Sequence, residues 1–208
     1  MQFEEELARF LPPDLPHREP LIRKAAQHLA LIGQANEHMN LTRLTDPREA
    51  AIKHIYDSVA PWECFRGAKR VLDAGTGAGF PGVPLSLILP DVQFTLSESI
   101  QKKARFLESA VESLELTNVH VTHERAEDVA LSGRMDTITA RAIAPLNRIL
   151  DLFRTPVRHG VRLLLYKGPD VDTEIAEAKK HRVSARLLCR YELPENLGKR
   201  SLLEIKAR

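Results

Sequence analysis

Leu21, Ala25, Leu29, Ile32 and Met39 recur at intervals near three and four, so the chain begins with a helix carrying one apolar stripe. Asp46-Pro47-Arg48-Glu49 then reads as a helix start, with a capping acid, proline at the first helical position and Glu at the third. The helix it starts should bury Ile52, Ile55 and Val59 on one side. His54, Asp57 and Ser58 fall on a different face, read either as a surface cluster with a Lys53–Asp57 pair or as a patch facing substrate. From Lys69 the pattern alternates strand and helix. Strands are expected at 70–74, 92–96, 119–122, 135–140 and 161–166, and helices at 83–89, 100–114, 146–153 and 171–181. Ala104, Leu107, Val111 and Leu114 form the apolar stripe of the 100–114 helix. Repeated β–α units imply a parallel sheet covered on both faces. The last two strands, 184–192 and 200–206, are joined by only a short loop and should pair antiparallel. The expected fold is α/β and Rossmann-like: a mostly parallel seven-stranded sheet with an antiparallel last strand. Residues 1–66 are read as an N-terminal helical extension and 67–208 as the main domain.

Composition narrows the class without naming a function. The 208 residues suffice for a sizeable core in one large domain, or one domain with an appendage. The opening Met1-Gln2-Phe3-Glu4-Glu5-Glu6 is acidic and lacks the apolar run of a signal peptide. Val83 to Pro90, the longest nearly apolar stretch, is far too short to cross a bilayer. Cys64 and Cys189 lie far apart without metal-ligand spacing, which fits free thiols in a reducing cytoplasm and no metal. The net charge of +2 is unevenly spread. Residues 1–60 carry 7 Lys/Arg against 9 Asp/Glu, residues 61–149 carry 10 against 11, and residues 150–208 carry 13 against 8. That basic final third could follow phosphates or simply supply solvated faces.

The candidate chemistry centres on Val71-Leu72-Asp73-Ala74-Gly75-Thr76-Gly77-Ala78-Gly79-Phe80-Pro81-Gly82. A buried strand ends in an acid and breaks into closely spaced glycines before a new helix. Such a turn brings backbone and a helix N-terminus against a ligand. Gly77-Ala78-Gly79-Phe80-Pro81-Gly82 satisfies the dinucleotide pattern G-x-G-x-x-G, with Glu98 near the expected ribose-binding position. Asp73 followed by Gly75, Gly77 and Gly79 equally fits a turn for S-adenosylmethionine. There the acid serves the cationic amino-acid end of the cofactor, directly or through water. An acid beside the loop would repel a pyrophosphate, so it favours the sulfonium cofactor over nicotinamide. The absence of chain for a separate substrate domain points the same way.

Ligands of open α/β sheets lie beyond the carboxyl ends of the strands. The candidates there are Asp73 to Phe80, Glu98, Ala126 with Glu127, Arg141 and Lys167. Neither cysteine falls at this edge, so the activating thiol of a pyrimidine-carbon methylase is missing. Thr139-Ala140-Arg141-Ala142 stands where an exocyclic-amine methylase carries Asn/Asp-Pro-Pro-aromatic. The remaining acceptor type is an atom with a free lone pair, such as a purine ring nitrogen.

Further residues make a specific resemblance. Asn40-Leu41-Thr42, His54 with Asp57-Ser58, Asp73 through Leu85, Arg105-Phe106-Leu107, Arg141-Ala142 and Lys167-Gly168 occur in this order. Together they closely resemble the bacterial glucose-inhibited division protein B family, the small-subunit ribosomal RNA guanine-N7 methyltransferases. Phe80-Pro81-Gly82-Val83-Pro84-Leu85 is the most specific piece, and the resemblance runs from about Leu21 to the end of the chain. It implies S-adenosylmethionine as cofactor and a guanine N7 of 16S ribosomal RNA as acceptor, reached by a monomer in an assembled or nearly assembled small subunit. It also implies cofactor contacts from Gly75 and Phe80, an adenine framed by Ala126 and Glu127, and Arg141 near cofactor or guanine. Ala78 and Glu98 depart from the family's usual Pro and Asp. Arginine binding guanine through both O6 and N7 would occupy the attacking lone pair. Arg141 is therefore expected on O6 alone, a phosphate or the cofactor carboxylate, or else in an ion pair with Glu127 or Asp128. His54, Lys167, Lys199 and Arg200 are the candidate RNA contacts. The rivals are a nicotinamide oxidoreductase and a cofactor-sensing RNA-binding module without chemistry.

Overall fold

The computed structural model describes residues 2–39, 41–42, 46–132, 134–178 and 181–208. Asn40, part of the quoted motif, and the 179–180 portion of the expected 171–181 helix lie outside them. The N-terminal segment forms α1 (Gln2–Phe10), α2 (Arg18–Met39) and a third helix, α3, over residues 47–59. Strands β1 (Arg70–Ala74), β2 (Gln93–Ser97), β3 (Val119–Thr122), β4 (Thr137–Arg141) and β5 (Arg162–Lys167) alternate with helices. These are α4 (Gly82–Ile88), α5 (Gln101–Ser113), α6 (Ala126–Leu131), then α7 (Leu146–Leu152) with α8 (Arg154–Arg158). After α9 (Val171–Ala178) come β6 (Val183–Glu192) and β7 (Lys199–Ala207).

The seven strands lie in the order β3-β2-β1-β4-β5-β7-β6. All neighbouring pairs among β1 to β5 are parallel, and β7 runs antiparallel to both β5 and β6. Strand order reverses where β1 meets β4, so the ends of β1 and β4 flank the crevice that open α/β sheets use for ligands. The carboxyl ends of β1, β2, β4 and β5 carry the expected site residues. The antiparallel β7 brings its beginning to the same edge, with Ser201 opposite Lys167.

The N-terminal helices share a core with the sheet. Leu7, Leu11, Leu15, Leu21 and Ile32 belong to one buried cluster with Val71, Phe94, Leu164 and Leu202. The α2 stripe is buried as far as Ile32, while Met39 packs against its margin. Arg9 and Arg48 also pair with Glu195 in the β6–β7 connection.

The start of α3 is as expected: Asp46 accepts the Glu49 N–H at 2.9 Å and Pro47 leads the helix. Its interior is not. Residues 51–56 are π-helical, and the Asp57 N–H reaches back five residues to Ile52. The wider turn shifts the faces that a 3.6-residue period assigns. His54, Asp57 and Ser58 are buried along with Ile52, Ile55 and Val59, so the segment is covered on more than one side. The expected surface cluster is therefore corrected, and Lys53 pairs with Glu49 at 3.0 Å instead of Asp57.

Away from the site edge, Cys64 and Cys189 face each other with sulfurs 3.9 Å apart and remain free thiols. The Cys64 S–H donates to Cys189; that bond and burial raise the pKa of Cys64, while the same bond draws that of Cys189 down to about 7 against the opposing effect of burial. Among the described residues no group of His, Cys, Asp and Glu is arranged to hold a metal, and no helix is long and apolar enough to cross a membrane.

Candidate active site

The glycine turn is built around a buried acid. Asp73 lies near the end of β1, fully enclosed, and its Oδ2 accepts the Thr76 hydroxyl at 2.6 Å and the Gly82 N–H at 2.8 Å. One carboxylate oxygen thus ties both ends of the turn to the strand. Burial raises the Asp73 pKa to about 6, against the opposing pull of the Thr76 and Gly82 hydrogen bonds and the Arg141 charge. Its Oδ1 is shielded from solvent and has no partner among the described residues. Gly82 leaves no room for a side chain without displacing its neighbours, because a Cβ would run into Leu96 and stand 2.7 Å from Asp73 Oδ2. Gly77 differs: at φ +63°, its missing Cβ would meet nothing within 4 Å. The turn therefore presents open backbone at Gly77, while Thr76, 2% exposed, spends its side chain on Asp73.

Phe80 leaves the turn inward. Its ring stacks on His54 at 4.4 Å with 1° between planes, and His28 tilts against it at 5.1 Å. Gly79 faces His28 and Val83, and Gly75 packs beneath Ile143. Burial lowers the His28 pKa to about 4, which the Ala78 backbone only partly offsets, and both ring nitrogens lack a well-formed hydrogen bond. His54 falls to about 3, through burial first and then the charges of Arg141, His28 and Lys53. The neutral His54 ring shares a 3.0 Å hydrogen bond with Thr42 through Nε2, while Nδ1 has no partner among the described residues. These rings form an uncharged wall behind the turn.

Beside it, at the ends of β4 and β5, opens a cleft of about 490 Å³. His54, Arg141, Lys167 and Arg200 line it together with Lys53 and Asp57. Arg141 closes β4, with its guanidinium 5.5 Å from the Phe80 ring centre. Its Nη1 donates to the Lys53 carbonyl and to Asp57 Oδ2, both at 3.1 Å. The alternative of an ion pair with Glu127 or Asp128 is corrected: the pair is made with Asp57, and Glu127 lies 3.8 Å from Arg125. Among the described residues Arg141 Nε and Nη2 make no hydrogen bond, which leaves that edge of the guanidinium for a ligand. Asp57 also accepts the Tyr191 hydroxyl at 2.9 Å and lies 3.7 Å from Arg200 Nε. Tyr166 donates to the Ser58 carbonyl at 2.6 Å, fixing α3 against β5.

The other expected residues divide. Glu98 follows β2, 6% exposed, and its Oε1 accepts the Ile100 N–H at 2.8 Å, while Oε2 has no hydrogen-bond partner among the described residues. Ala126 and Glu127 open α6, half-buried. Lys167 is largely enclosed and 2.6 Å from Glu174, so it is no free phosphate-seeking charge. Lys199 stays outside the 490 Å³ cleft, in a neighbouring hollow with Arg200, exposed and 3.3 Å from Glu192. The glycine turn, Glu98, Ala126 and Glu127 do not line that cleft either; Phe80 and Arg141 connect the two regions. Sequence reading missed Asp57 as the hub. Its signal was present: a lone acid in the otherwise apolar-rich 50–60 run.

An acid-anchored open turn, a distal carboxylate with a free oxygen and this strand order define a class I, Rossmann-like methyltransferase of the S-adenosylmethionine type. Solved structures share the fold: cofactor-bound Rv0187 from MTB aligns with TM-score 0.59 at 16% identity, covering 89% of this chain and 90% of that one. A mutant of MtNAS in complex with S-adenosylmethionine aligns with TM-score 0.57 at 17% identity, covering 91% of this chain and 73% of that one. Sequence relatives go further. The ribosomal RNA small subunit methyltransferase G of Solibacter usitatus is 58% identical over 210 residues, covering 99% of this chain and all of that protein. The like-named protein of Symbiobacterium thermophilum is 40% identical, covering 86% and 79% of the two chains. The family described as GidB, rRNA small subunit methyltransferase G, matches residues 21–200, and the chain belongs to it.

Proposed function

We propose that this protein transfers a methyl group from S-adenosylmethionine to a guanine N7 of 16S ribosomal RNA. The observation that carries the reading is the turn itself, with open backbone at Gly77 set on a strand that ends around the buried acid Asp73. That arrangement suits a cationic ligand and disfavours a pyrophosphate. Family membership supports ribosomal RNA as the substrate class and leaves the dinucleotide alternative without support.

The residues fit the cofactor. Gly75 and Gly77 would lie along its amino-acid portion, with Thr76, Gly79 and Phe80 shaping the turn from behind. Asp73 would contribute mainly by holding the turn, since its Oδ2 is occupied and its Oδ1 enclosed. Glu98 would take the ribose hydroxyls, and Ala126 with Glu127 would frame the adenine. Bound S-adenosylmethionine supplies an electrophilic methyl on sulfur. The protein's task is then alignment and exclusion of water. Arg141, anchored to Asp57 through Nη1, has Nε and Nη2 left to hold a guanine O6 or a phosphate while N7 attacks unassisted. The cleft fits such a reaction, because attack by an N7 lone pair releases no proton and His54, its pKa lowered to about 3, is a poor base. Arg200, whose ion pair with Asp57 is long at 3.7 Å, and His54 would bound the RNA side; Lys167 and Lys199, in shorter pairs of 2.6 and 3.3 Å, contribute less.

We read residues 1–66 as an extension of a methyltransferase domain at 67–208, acting as a cytoplasmic monomer on an assembled or nearly assembled small subunit. Incubating the protein with methyl-labelled S-adenosylmethionine and small subunits from cells lacking the modification tests the reaction. Label on a guanine N7 of 16S ribosomal RNA is expected; label on another atom, on protein or nowhere overturns it.

A further inference from the structure

At the opposite edge of the sheet, where β5 begins and β7 ends, lies a second cleft of about 270 Å³. Arg154, Arg158, His181, Arg182 and Arg208 line it over apolar residues such as Val157. Register fixes its place: Leu163 near the start of β5 faces Ile205, and Val183 at the start of β6 faces Ala207. The Arg208 Nε donates to the Val183 carbonyl at 3.2 Å, binding the two strand ends together.

The charge pattern sets this cleft apart. Elsewhere in 150–208 each described Lys or Arg has a carboxylate within ion-pair distance. Glu204 serves Arg162, Arg186 and Lys206, and Glu174 serves Lys167. Asp172 pairs with Arg190, Glu192 with Lys199, and Asp57 with Arg200. Among the described residues Arg154, Arg158, Arg182 and Arg208 have none, and all four are exposed. Glu204 is shared by three cations, yet each of them has a carboxylate beside it, whereas these four arginines gather in one hollow with none among the described residues. No carboxylate side chain lines it, and an α-carboxylate on Arg208 would offset only one of the four charges. Like charges brought together repel; phosphates of a polyanion neutralise them, and the counterions released from the polyanion add to the gain.

We propose that this cleft is a second RNA-docking site, which takes backbone phosphates of ribosomal RNA away from the modified guanine. The inference rests on the proposed ribosomal RNA substrate. Four long, exposed arginines set around the cleft spread more charge than one small anion can neutralise, which suits a run of phosphates. The six residues of β5 separate the two edges by about 20 Å. The two clefts therefore engage different parts of a ribonucleoprotein surface, which lets a protein of small net charge stay on its particle.

The test compares the full chain with R158E/R182E and R158K/R182K, after thermal melts show that all three fold alike. Fluorescence anisotropy with an RNA duplex of about 20 base pairs is recorded from about 50 to 200 mM salt. We expect R158E/R182E to bind about tenfold more weakly, with a log–log salt slope shallower by about two, and R158K/R182K to bind as the parent does. Equal affinity and slope for all three overturn the inference, as does displacement of the duplex by about 1 mM inorganic phosphate, which assigns the cleft to a small anion. With unmodified small subunits, KM should rise about tenfold in R158E/R182E at unchanged kcat. If the parent protein methylates subunits and this KM does not move, the docking site alone fails. If the parent does not methylate subunits, the proposed activity fails, and the duplex titration still decides the cleft.

Discussion

The glycine turn and the neighbouring Arg141 cleft sit one strand apart and are held together by different physics. The turn is made by backbone and close packing: one carboxylate oxygen, two short hydrogen bonds, and a glycine at 82 with no room for a methyl group. Its hydrogen bonds come from one contiguous stretch of chain, and Leu96 of the neighbouring β2 closes the space at Gly82. The cleft is made by charged and hydroxyl groups from distant segments, with Asp57 of α3 joining Arg141 of β4 to Tyr191 and Arg200 of the final hairpin. A turn of the first kind gives a fixed surface for a cofactor. A network of the second kind places a guanidinium accurately, yet depends on the whole fold to bring its members together.

The comparison is most exposed at its charged side. Asp57→Ala removes the counter-charge of the half-buried Arg141 and the acceptor of Tyr191. It should cost about 3 kcal/mol by urea unfolding and lower single-turnover methyl transfer by about a hundredfold. A fully active, stable variant would show that the cleft needs no charged hub. Gly82→Ala tests the packed side. Its methyl group would collide with Leu96 and crowd Asp73, so a loss of about 2 kcal/mol is expected from the same measurement.

Acidification should separate the two kinds of buried group. His28 and His54 have folded pKa values of about 4 and about 3, below the unfolded value of 6.5. The unfolded chain therefore binds protons first, and their contribution falls as pH drops below 6.5. Asp73 acts oppositely: its folded pKa of about 6 exceeds 3.8, so protonation between those values favours the folded state. Two histidines outweigh one acid, and stability should fall by roughly 2 kcal/mol from pH 7 to pH 5. His28→Leu should make the pH profile measurably flatter, and an unchanged profile would remove His28 from this account.

Gly77→Ala should cost only about 1 kcal/mol, the strain of a left-handed backbone, because its Cβ would meet no protein atom. Calorimetric titration should nevertheless show cofactor affinity reduced about tenfold or more if that open face belongs to the ligand, a loss of the size a tightly packed contact gives. Smallest of all, Lys199→Ala breaks an exposed pair and should change stability by less than about 0.5 kcal/mol, with activity near that of the parent. A large loss of activity would return Lys199 to the RNA surface.

Local signals carried much of the molecule. The β1 run, the acid and glycines that follow it, and the Asp46-Pro47 helix start are contiguous, and their chemistry is settled within a few residues. The final hairpin was legible because a short connection permits only antiparallel pairing. Arg141 was identifiable by its position at the end of β4, but its partner was not. Glu127 and Asp128 were near in sequence, while Asp57 lies 84 residues away and reaches Arg141 only through the packing of α3. The regular helical period did place Asp57 with His54, and both line the cleft, but it could not show that this face is buried against Arg141.

By itself, then, the sequence determined the alternation of strands and helices, the acid-and-glycine turn and the family pattern, since each depends on short-range geometry and side-chain chemistry. Only the tertiary structure decided which charges are neutralised. Asp57 meets Arg141, Lys167 meets Glu174, and among the described residues four arginines at the far edge are left without a carboxylate. Charge pairing depends on separation in space and on burial, and neither is set by distance along the chain.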